Sequence, residues 1–310
     1  MTQLDKAAKV MKLDTAIKTV LEHPKRVLTV ALPITMDDGS VKVFTAFRSQ
    51  YNDARGPFKG GIRYHPGVTL EEVKALSFWM AMKCSVAGLP LGGGKGGIIV
   101  DPKSLSVGEL ERLSRAYIRS IYKYVGPTQD VPAPDVYTTP QIMAWMLDEY
   151  EKLVGEHAPG MITGKPLSLG GSAGRGFSTA QGGVYVLREA VKKLGLDPKK
   201  TTVAIQGFGN AGSFMAKLLH TDGYRIVAVS DSRGGVMVEG GLDPTQAESL
   251  KQKGKTLGEY KGGRAVSNEE LLELPVDVLV PAALENQITA DNANRIQAKL
   301  IIELANGPVT

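Results

Sequence analysis

The residues best suited to chemistry are a lysine enclosed by glycines, two lysines upstream of it and an aspartate on a proline-rich segment. Lys95 lies in Leu89-Pro90-Leu91-Gly92-Gly93-Gly94-Lys95-Gly96-Gly97. Glycine serves where the backbone takes unusual angles or approaches a ligand closely. A lysine held in such a loop cannot bury its ammonium unless an anion answers it. The plain alternative is a flexible surface turn with a solvated lysine. A phosphate-cradling loop is excluded by spacing. That motif needs glycine six residues before the lysine and Ser or Thr after it, where this chain has Leu89 and Gly96.

Lys83 and Lys59 lie twelve and thirty-six residues before Lys95. Lys83 falls in a segment, 69–86, whose pattern predicts a helix. Thr69 with Glu72 reads as a capping box. Val73, Leu76 and Met80 then mark a buried face, and Lys83 continues that series. Either its stem runs along apolar surface with the head in water, or it is kept inside to meet a carboxylate. Asp135 directly follows Pro134, and prolines at 127, 132 and 134 stiffen its segment by fixing φ. A rigid loop is a good mount for a catalytic carboxylate. On position alone, Asp135 could equally cap a helix beginning near Pro140.

A second constellation binds rather than reacts. A predicted strand at 201–206 runs into Gly207-Phe208-Gly209-Asn210-Ala211-Gly212, a helix follows at 213–220, and the next strand, 226–230, ends at Asp231. The acid stands nineteen residues after the last glycine. Glycine pattern, strand, helix and acid together are the dinucleotide-binding fingerprint. The helix N-terminus receives the pyrophosphate and Asp231 the adenosine ribose. Tight strand–helix packing without a cofactor is the structural alternative. A nicotinamide-type cofactor supplies hydride transfer, and the protein supplies placement and electrostatics. A substrate with two carboxylates needs two cationic partners, which leaves one of three lysines for proton transfer. Crowding and partial burial both lower a lysine pKa toward the ~7–8 that suits a general base.

The elements that must position these groups alternate helix and strand. An amphipathic helix is predicted over 4–21, with Val10, Leu13, Ile17, Val20 and Leu21 on one side. A hairpin follows, with strands 26–36 and 41–48 about an Asp-Asp-Gly-Ser turn. A short strand, 98–100, leaves the glycine stretch, and helices are predicted at 106–125 and 140–153. The Gly-, Pro- and Ser-rich segment 158–178 reads as a hinge. It sets the expected boundary between a domain at 1–177 and a domain at 178–310. The second opens with a helix at 178–193, and later strands fall at 276–280 and 300–304.

Composition sets the outer limits. Of 310 residues, 43% are hydrophobic and 22% charged, as in an ordinary soluble globular chain of two domains. No apolar run approaches the ~20 residues that span a bilayer. The single cysteine, Cys84, forbids an intrachain disulfide, fits a cytoplasmic location and reads as a small core residue. The four histidines show no metal-ligand spacing, so no metal is expected. The net charge of +5 comes from scattered lysines and arginines without interleaved aromatics, which argues against nucleic acid and favours capture of a small dianion.

Residues 52–66 (Asn-Asp-Ala-Arg-Gly-Pro-Phe-Lys-Gly-Gly-Ile-Arg-Tyr-His-Pro), 89–102 and 130–135 resemble the glutamate dehydrogenase family. The resemblance covers essentially the whole chain. It implies an α/β fold with an N-terminal substrate domain on a mixed sheet and a C-terminal Rossmann-like dinucleotide-binding domain. It implies NAD or NADP as cofactor, with glutamate, 2-oxoglutarate and ammonium as reactants, and a homo-oligomer, a hexamer in the family. By the same resemblance Lys59 meets the side-chain carboxylate, Lys83 the α-carboxylate, and Ala133 also lines the substrate site. Lys95 activates water, and Asp135 moves protons at the amino group. Thr179, Gly207, Phe208, Gly209, Asn210, Gly212, Asp231 and Asn306 correspond to cofactor contacts.

Two departures qualify this. Thr179 is kept, but 174–182 differ from the family's usual wording. The chain ends at Thr310, whereas family members continue into a C-terminal segment carrying a serine that assists Lys59. The expectation is a cofactor-binding fold with poor turnover and a tendency to associate. The rival classes are a non-catalytic regulatory subunit of a mixed oligomer and a dehydrogenase for an apolar amino acid. The lysine cluster argues against the first, and Lys59 against the second.

Overall fold

The computed structural model describes residues 2–310, which divide into two compact units, one ending at Ala173 and one spanning Gly174–Thr310. The division falls within the predicted hinge, a few residues before the expected 177/178 boundary. The hinge itself consists of short 3-10 turns at Pro159–Met161, Leu167–Leu169 and Ala173–Gly176.

The first unit begins with two helices, α1 (Thr2–Met11) and α2 (Thr15–Leu21), where one was predicted. Lys12 takes a positive φ of 53°, and the Asp14 carboxylate accepts from the amides of Ala16 and Ile17 to start a new helix. An Asx cap competes with helix continuation, and here it wins. The predicted apolar stripe is also not buried, since Val10, Ile17 and Val20 are exposed.

The hairpin forms as predicted from β1 (Arg26–Thr35) and β2 (Val41–Asn52), which pair antiparallel. Next come β3 (Phe58–His65), α3 (Leu70–Val86), β4 (Gly93–Ile99), α4 (Val107–Ile121), β5 (Asp130–Pro134) and α5 (Pro140–Val154). Among the described residues the strands make a five-stranded sheet in the order β1-β2-β4-β3-β5. The β3 strand lies parallel to both β4 and β5, and β2 antiparallel to β4. A core of Ile62, Tyr64, Ile98, Leu113, Tyr117 and Met146 fills the space beneath α4 and α5. On the other side Val73 of α3 packs with Phe47 and Val68.

Two segments expected as loops are strands. The glycine stretch is mostly β4, and a Cβ at Gly93 would sit 2.3 Å from the Ser77 carbonyl oxygen of α3. Glycine in this strand permits close backbone approach rather than a turn. The proline-rich segment is β5, which tolerates Pro132 and Pro134 because it lies at the sheet edge.

The second unit holds α6 (Ser178–Leu194), β6 (Thr202–Gln206), α7 (Asn210–Thr221), β7 (Arg225–Asp231), β8 (Gly234–Met237), α8 (Pro244–Gln252), β9 (Arg264–Val266), α9 (Asn268–Leu272), β10 (Val278–Pro281) and β11 (Leu300–Ile301). Among the described residues they form a six-stranded sheet in the order β11-β10-β6-β7-β8-β9. Its strands β11, β10, β6 and β7 run parallel, with β8 and β9 added antiparallel. This is the Rossmann-like arrangement expected. The last strand is shorter than predicted, because only Leu300 and Ile301 pair with β10.

Candidate active site

In the first unit the site is built on β4, β3 and the end of β5. Lys95 lies opposite Ser49 of β2 and is only 4% exposed, so the solvated-turn alternative fails. Its ammonium donates to Asp135 Oδ2 at 2.5 Å. The other carboxylate oxygen of Asp135 accepts from Arg63 Nε at 2.9 Å, and Arg63 also pairs with Glu72. Side chains two apart on a strand share a face, which brings Lys59, Gly61 and Arg63 of β3 to the same side. Gly61 leaves the room that Asp135 occupies, since a Cβ there would lie 2.8 Å from Asp135 Cβ.

Asp135 does not cap α5, whose N-cap is Thr139. It is instead held by its own turn. The Asp135 amide donates to Thr138 Oγ1 at 2.6 Å, and that hydroxyl lies 3.0 Å from the Ile62 carbonyl oxygen of β3. Tyr137 within the turn takes φ 56°, an uncommon angle for a bulky residue.

The electrostatics follow from this packing. Burial alone would raise the Asp135 pKa, but Lys95 and Arg63 outweigh it and hold the carboxyl down at about 2. Lys95 is pushed below the ordinary lysine value by burial, against the pull of Asp135, with Arg63 and Lys83 adding cationic repulsion. Lys83 is exposed as a residue, so the predicted inward face of α3 is corrected. That face is Val73, Ser77, Ala81 and Cys84. Desolvation nevertheless lowers the Lys83 pKa, with Asp135 near enough to oppose it. Thr69 caps α3 as predicted, accepting from the Glu72 amide at 3.1 Å, while the Glu72 carboxylate turns to Arg63.

Lys59 donates to the carbonyl oxygens of Val131 and Pro132, each at 3.2 Å, and to Thr163 Oγ1 at 2.8 Å. Ala133 faces Gly61 across the β3–β5 pairing. Arg63, Thr138 and Thr163 escaped the sequence reading. Arg63 had a signal, four residues after Lys59 on one strand. Thr163 had none, lying 104 residues from its partner.

In the second unit the glycine fingerprint opens α7 directly after β6. Gly207 has φ +94°, and a Cβ there would lie 2.7 Å from the Ala282 carbonyl carbon. A Cβ on Gly212 would lie 2.0 Å from the Gly207 carbonyl oxygen, so strand and helix close on each other there. Gly209 faces open space. Two glycines serve close packing and one leaves an approach, the division a pyrophosphate cradle needs. Phe208 is buried, and Asn210 begins the helix.

Asp231 ends β7 and pairs with Lys251 at 2.7 Å, while Lys251 also donates to the Phe208 carbonyl at 2.8 Å. Burial would raise the Asp231 pKa, yet Lys251 and Arg233 bring it below the usual carboxylate value. Arg233 spends its guanidinium on the Gly254 and Lys255 carbonyls. Asn306 lies just beyond β11, where Leu304 and Ala305 donate to the Pro281 carbonyl. Thr179 stands exposed in the first turn of α6. The residues present therefore fit a dinucleotide. Among the described residues no group of three His, Cys, Asp or Glu could hold a metal, and no helix is long and apolar enough to cross a membrane.

Comparison with known proteins matches residues 24–152 to the Glu/Leu/Phe/Val dehydrogenase dimerisation domain and residues 170–310 to the glutamate/leucine/phenylalanine/valine dehydrogenase domain. A catabolic NAD-specific glutamate dehydrogenase of Bacillus subtilis is 56% identical over 94% of this chain and 68% of its own length. An NADP-specific glutamate dehydrogenase of Synechocystis is 48% identical over 99% of this chain and 74% of its own. The crystal structure of a hetero-hexameric glutamate dehydrogenase from Thermus thermophilus, in its leucine-bound form, superposes with a TM-score of 0.93 at 39% identity, covering 98% of this chain and 73% of that one. With the family models matching residues 24–152 and 170–310, and relatives 48–56% identical over nearly all of its length, the chain belongs to the Glu/Leu/Phe/Val dehydrogenase family.

Proposed function

We propose that this chain catalyses the reversible oxidative deamination of L-glutamate, with NAD or NADP and water, to 2-oxoglutarate, ammonium and reduced cofactor. The observation that carries this reading is the 2.5 Å Lys95–Asp135 pair, desolvated and flanked by Lys83 and Arg63. The unit ending at Ala173 binds substrate, and the unit Gly174–Thr310 binds cofactor. Lys59, supported by Thr163, meets the side-chain carboxylate of glutamate. Lys83 meets the α-carboxylate, and Ala133 lines the site between them.

Asp135, ionised at neutral pH, takes a proton from the α-ammonium and leaves a neutral amine. A nicotinamide held by the second unit would supply the hydride acceptor for the α-carbon, and loss of that hydride leaves the substrate as an iminium. Lys95, its pKa lowered, enters as the neutral amine, its own proton lost to solvent, and takes a proton from the water that adds to the iminium carbon. Asp135 returns its proton to the nitrogen, and ammonia leaves and takes up the hydroxyl proton as the ketone forms, giving ammonium. Gly207, Phe208, Gly209, Asn210 and Gly212 hold the pyrophosphate end of the cofactor, and Asp231 meets the ribose. Thr179 and Asn306 contribute further contacts.

Lys59 favours glutamate over apolar amino acids, because its charge attracts a side-chain carboxylate and gains nothing from an aliphatic group. A homo-hexamer in the cytoplasm completes the reading. A second reading, a regulatory subunit of a mixed oligomer, is motivated by the hetero-hexameric relative. Reductive amination of 2-oxoglutarate by the purified chain, assayed with each reduced cofactor, decides between them. No turnover with either cofactor sinks the enzymatic reading.

A further inference from the structure

A second charged pair lies on the opposite face of the same sheet. Arg48 of β2 and Asp130 of β5 are both fully buried. Two strands, β4 and β3, separate them, and the Arg48 side chain crosses both. Its Nε donates to Asp130 Oδ2 at 2.9 Å and its Nη2 pairs with Oδ1. Its Nη1 donates to the Gly60 carbonyl of β3 at 3.2 Å. Gln50 completes the network, donating to Asp130 Oδ2 at 2.8 Å and to the Tyr124 carbonyl at 2.7 Å.

The crossing depends on two glycines of β4. A Cβ at Gly94 would lie 3.2 Å from Arg48 Nη2 and 3.3 Å from Asp130 Oδ1. One at Gly96 would lie 2.6 Å from the Tyr117 hydroxyl and 3.3 Å from Arg48 Nη1. Lys95 sits between these glycines, Lys59 adjoins Gly60, and Asp135 follows the strand that Asp130 opens. Side chains alternate faces along a strand. The strap on one face and the reacting groups on the other therefore share the same backbone.

Burying two charges is costly, and a well-packed apolar pair often replaces them without loss of stability. Core filling therefore does not explain this pair, while its reach over four strands does. We propose that the Arg48–Asp130 pair is a positioning device that holds β3, β4 and β5 in the register at which Lys59, Lys95 and Asp135 meet. The proposal rests on the reading of those three residues as the active site. Arg48 and Asp130 touch no substrate and act through the strands.

The test uses Arg48→Lys, which keeps the charge but loses the fork that reaches Asp130 and Gly60 together. A double variant, Arg48→Met with Asp130→Leu, removes both charges and leaves none buried unpaired. Each is compared with wild type for Tm, for kcat and KM with glutamate, and for protonation of the Asp135 carboxyl by 13C NMR. Misplacement on the ångström scale predicts a kcat loss of about 10- to 100-fold in folded protein, with cofactor KM unchanged. The Asp135 carboxyl should then protonate nearer the ordinary value of about 4.

A folded variant with wild-type kcat and wild-type Asp135 titration overturns the proposal. If neither variant folds, Gln50→Met decides, because it leaves the ion pair in place and loosens only its support. The same two changes in smaller measure are expected there, and their absence also overturns the proposal. Wild type without turnover of glutamate sinks the functional reading instead, and the Asp135 titration still decides the positioning role.

Discussion

Lys95 Nζ of β4 lies 2.5 Å from Oδ2 of Asp135, which stands forty positions later, just past the end of β5, a strand that does not neighbour β4. The β3 strand runs between them, and its Arg63 holds the second oxygen of the same carboxylate. A buried lysine and an ionised aspartate thus influence each other's charge.

Lys95→Ala is expected to lower kcat by about 10²–10⁴-fold, the usual contribution of a general acid–base group. Binding of reduced cofactor, followed by its fluorescence, should persist because the fingerprint lies in the other unit. Asp135→Asn should be comparably damaging. Near-normal kcat in either variant removes that residue from the chemistry.

The pH dependence follows from the directions of the two shifts. Lys95 must lose a proton to activate water, and its pKa is lowered by burial. Glutamate oxidation should therefore rise with pH through a midpoint below the ordinary lysine value of about 10.4. Arg63→Met removes a neighbouring cation, so the midpoint should move to higher pH. A profile that does not move with Arg63 rules out the assigned coupling.

Asp135 also carries a stability prediction. Its folded pKa is about 2, against about 3.9 in an unfolded chain. The stabilisation is thus present above about pH 4 and is lost as pH falls through the folded value. Unfolding midpoints of wild type and Asp135→Asn, measured between about pH 5 and pH 2, should converge toward the acid end.

Lys59→Leu should reduce use of glutamate far more than use of norvaline. Leaving a buried carboxylate without its cation costs about 2–5 kcal/mol. Thr163→Val, which removes the hydroxyl 2.8 Å from the ammonium, should raise KM for glutamate with less effect on kcat. Equal losses for both substrates would show that Lys59 does not read the side-chain carboxylate.

Asp231 and Lys251, 2.7 Å apart, are expected to set cofactor choice. The carboxylate suits a free 2′-hydroxyl, and the ammonium beside it can answer a phosphate once released. Asp231→Ser should move the ratio of kcat/KM toward NADP, by about tenfold for each 1.4 kcal/mol of differential binding. A ratio that stays put, measured with both cofactors, would exclude Asp231 as the discriminating residue.

The dinucleotide unit was legible in sequence because its signals are local. Strand, glycine pattern, helix and acid follow one another within 202–231, and β6, α7 and β7 form where the pattern places them. Lys59, Lys83, Lys95 and Asp135 were singled out from residue type, motif and family resemblance, and of these the structure pairs Lys95 with Asp135. Tertiary structure decided what those motifs become. Periodicity could not show that the glycine stretch is a strand, since it has almost no side chains to alternate. Nor could it admit prolines to β5, whose edge position is a property of the whole sheet. The single amphipathic helix read over 4–21 does not form: Asp14 caps a second helix, and Val10, Ile17 and Val20 of the expected buried stripe are exposed. Arg48 with Asp130, Lys59 with Thr163 and Arg63 with Asp135 are pairs separated by 82, 104 and 72 residues. Such partners are chosen by strand order and register, which only the assembled sheet defines.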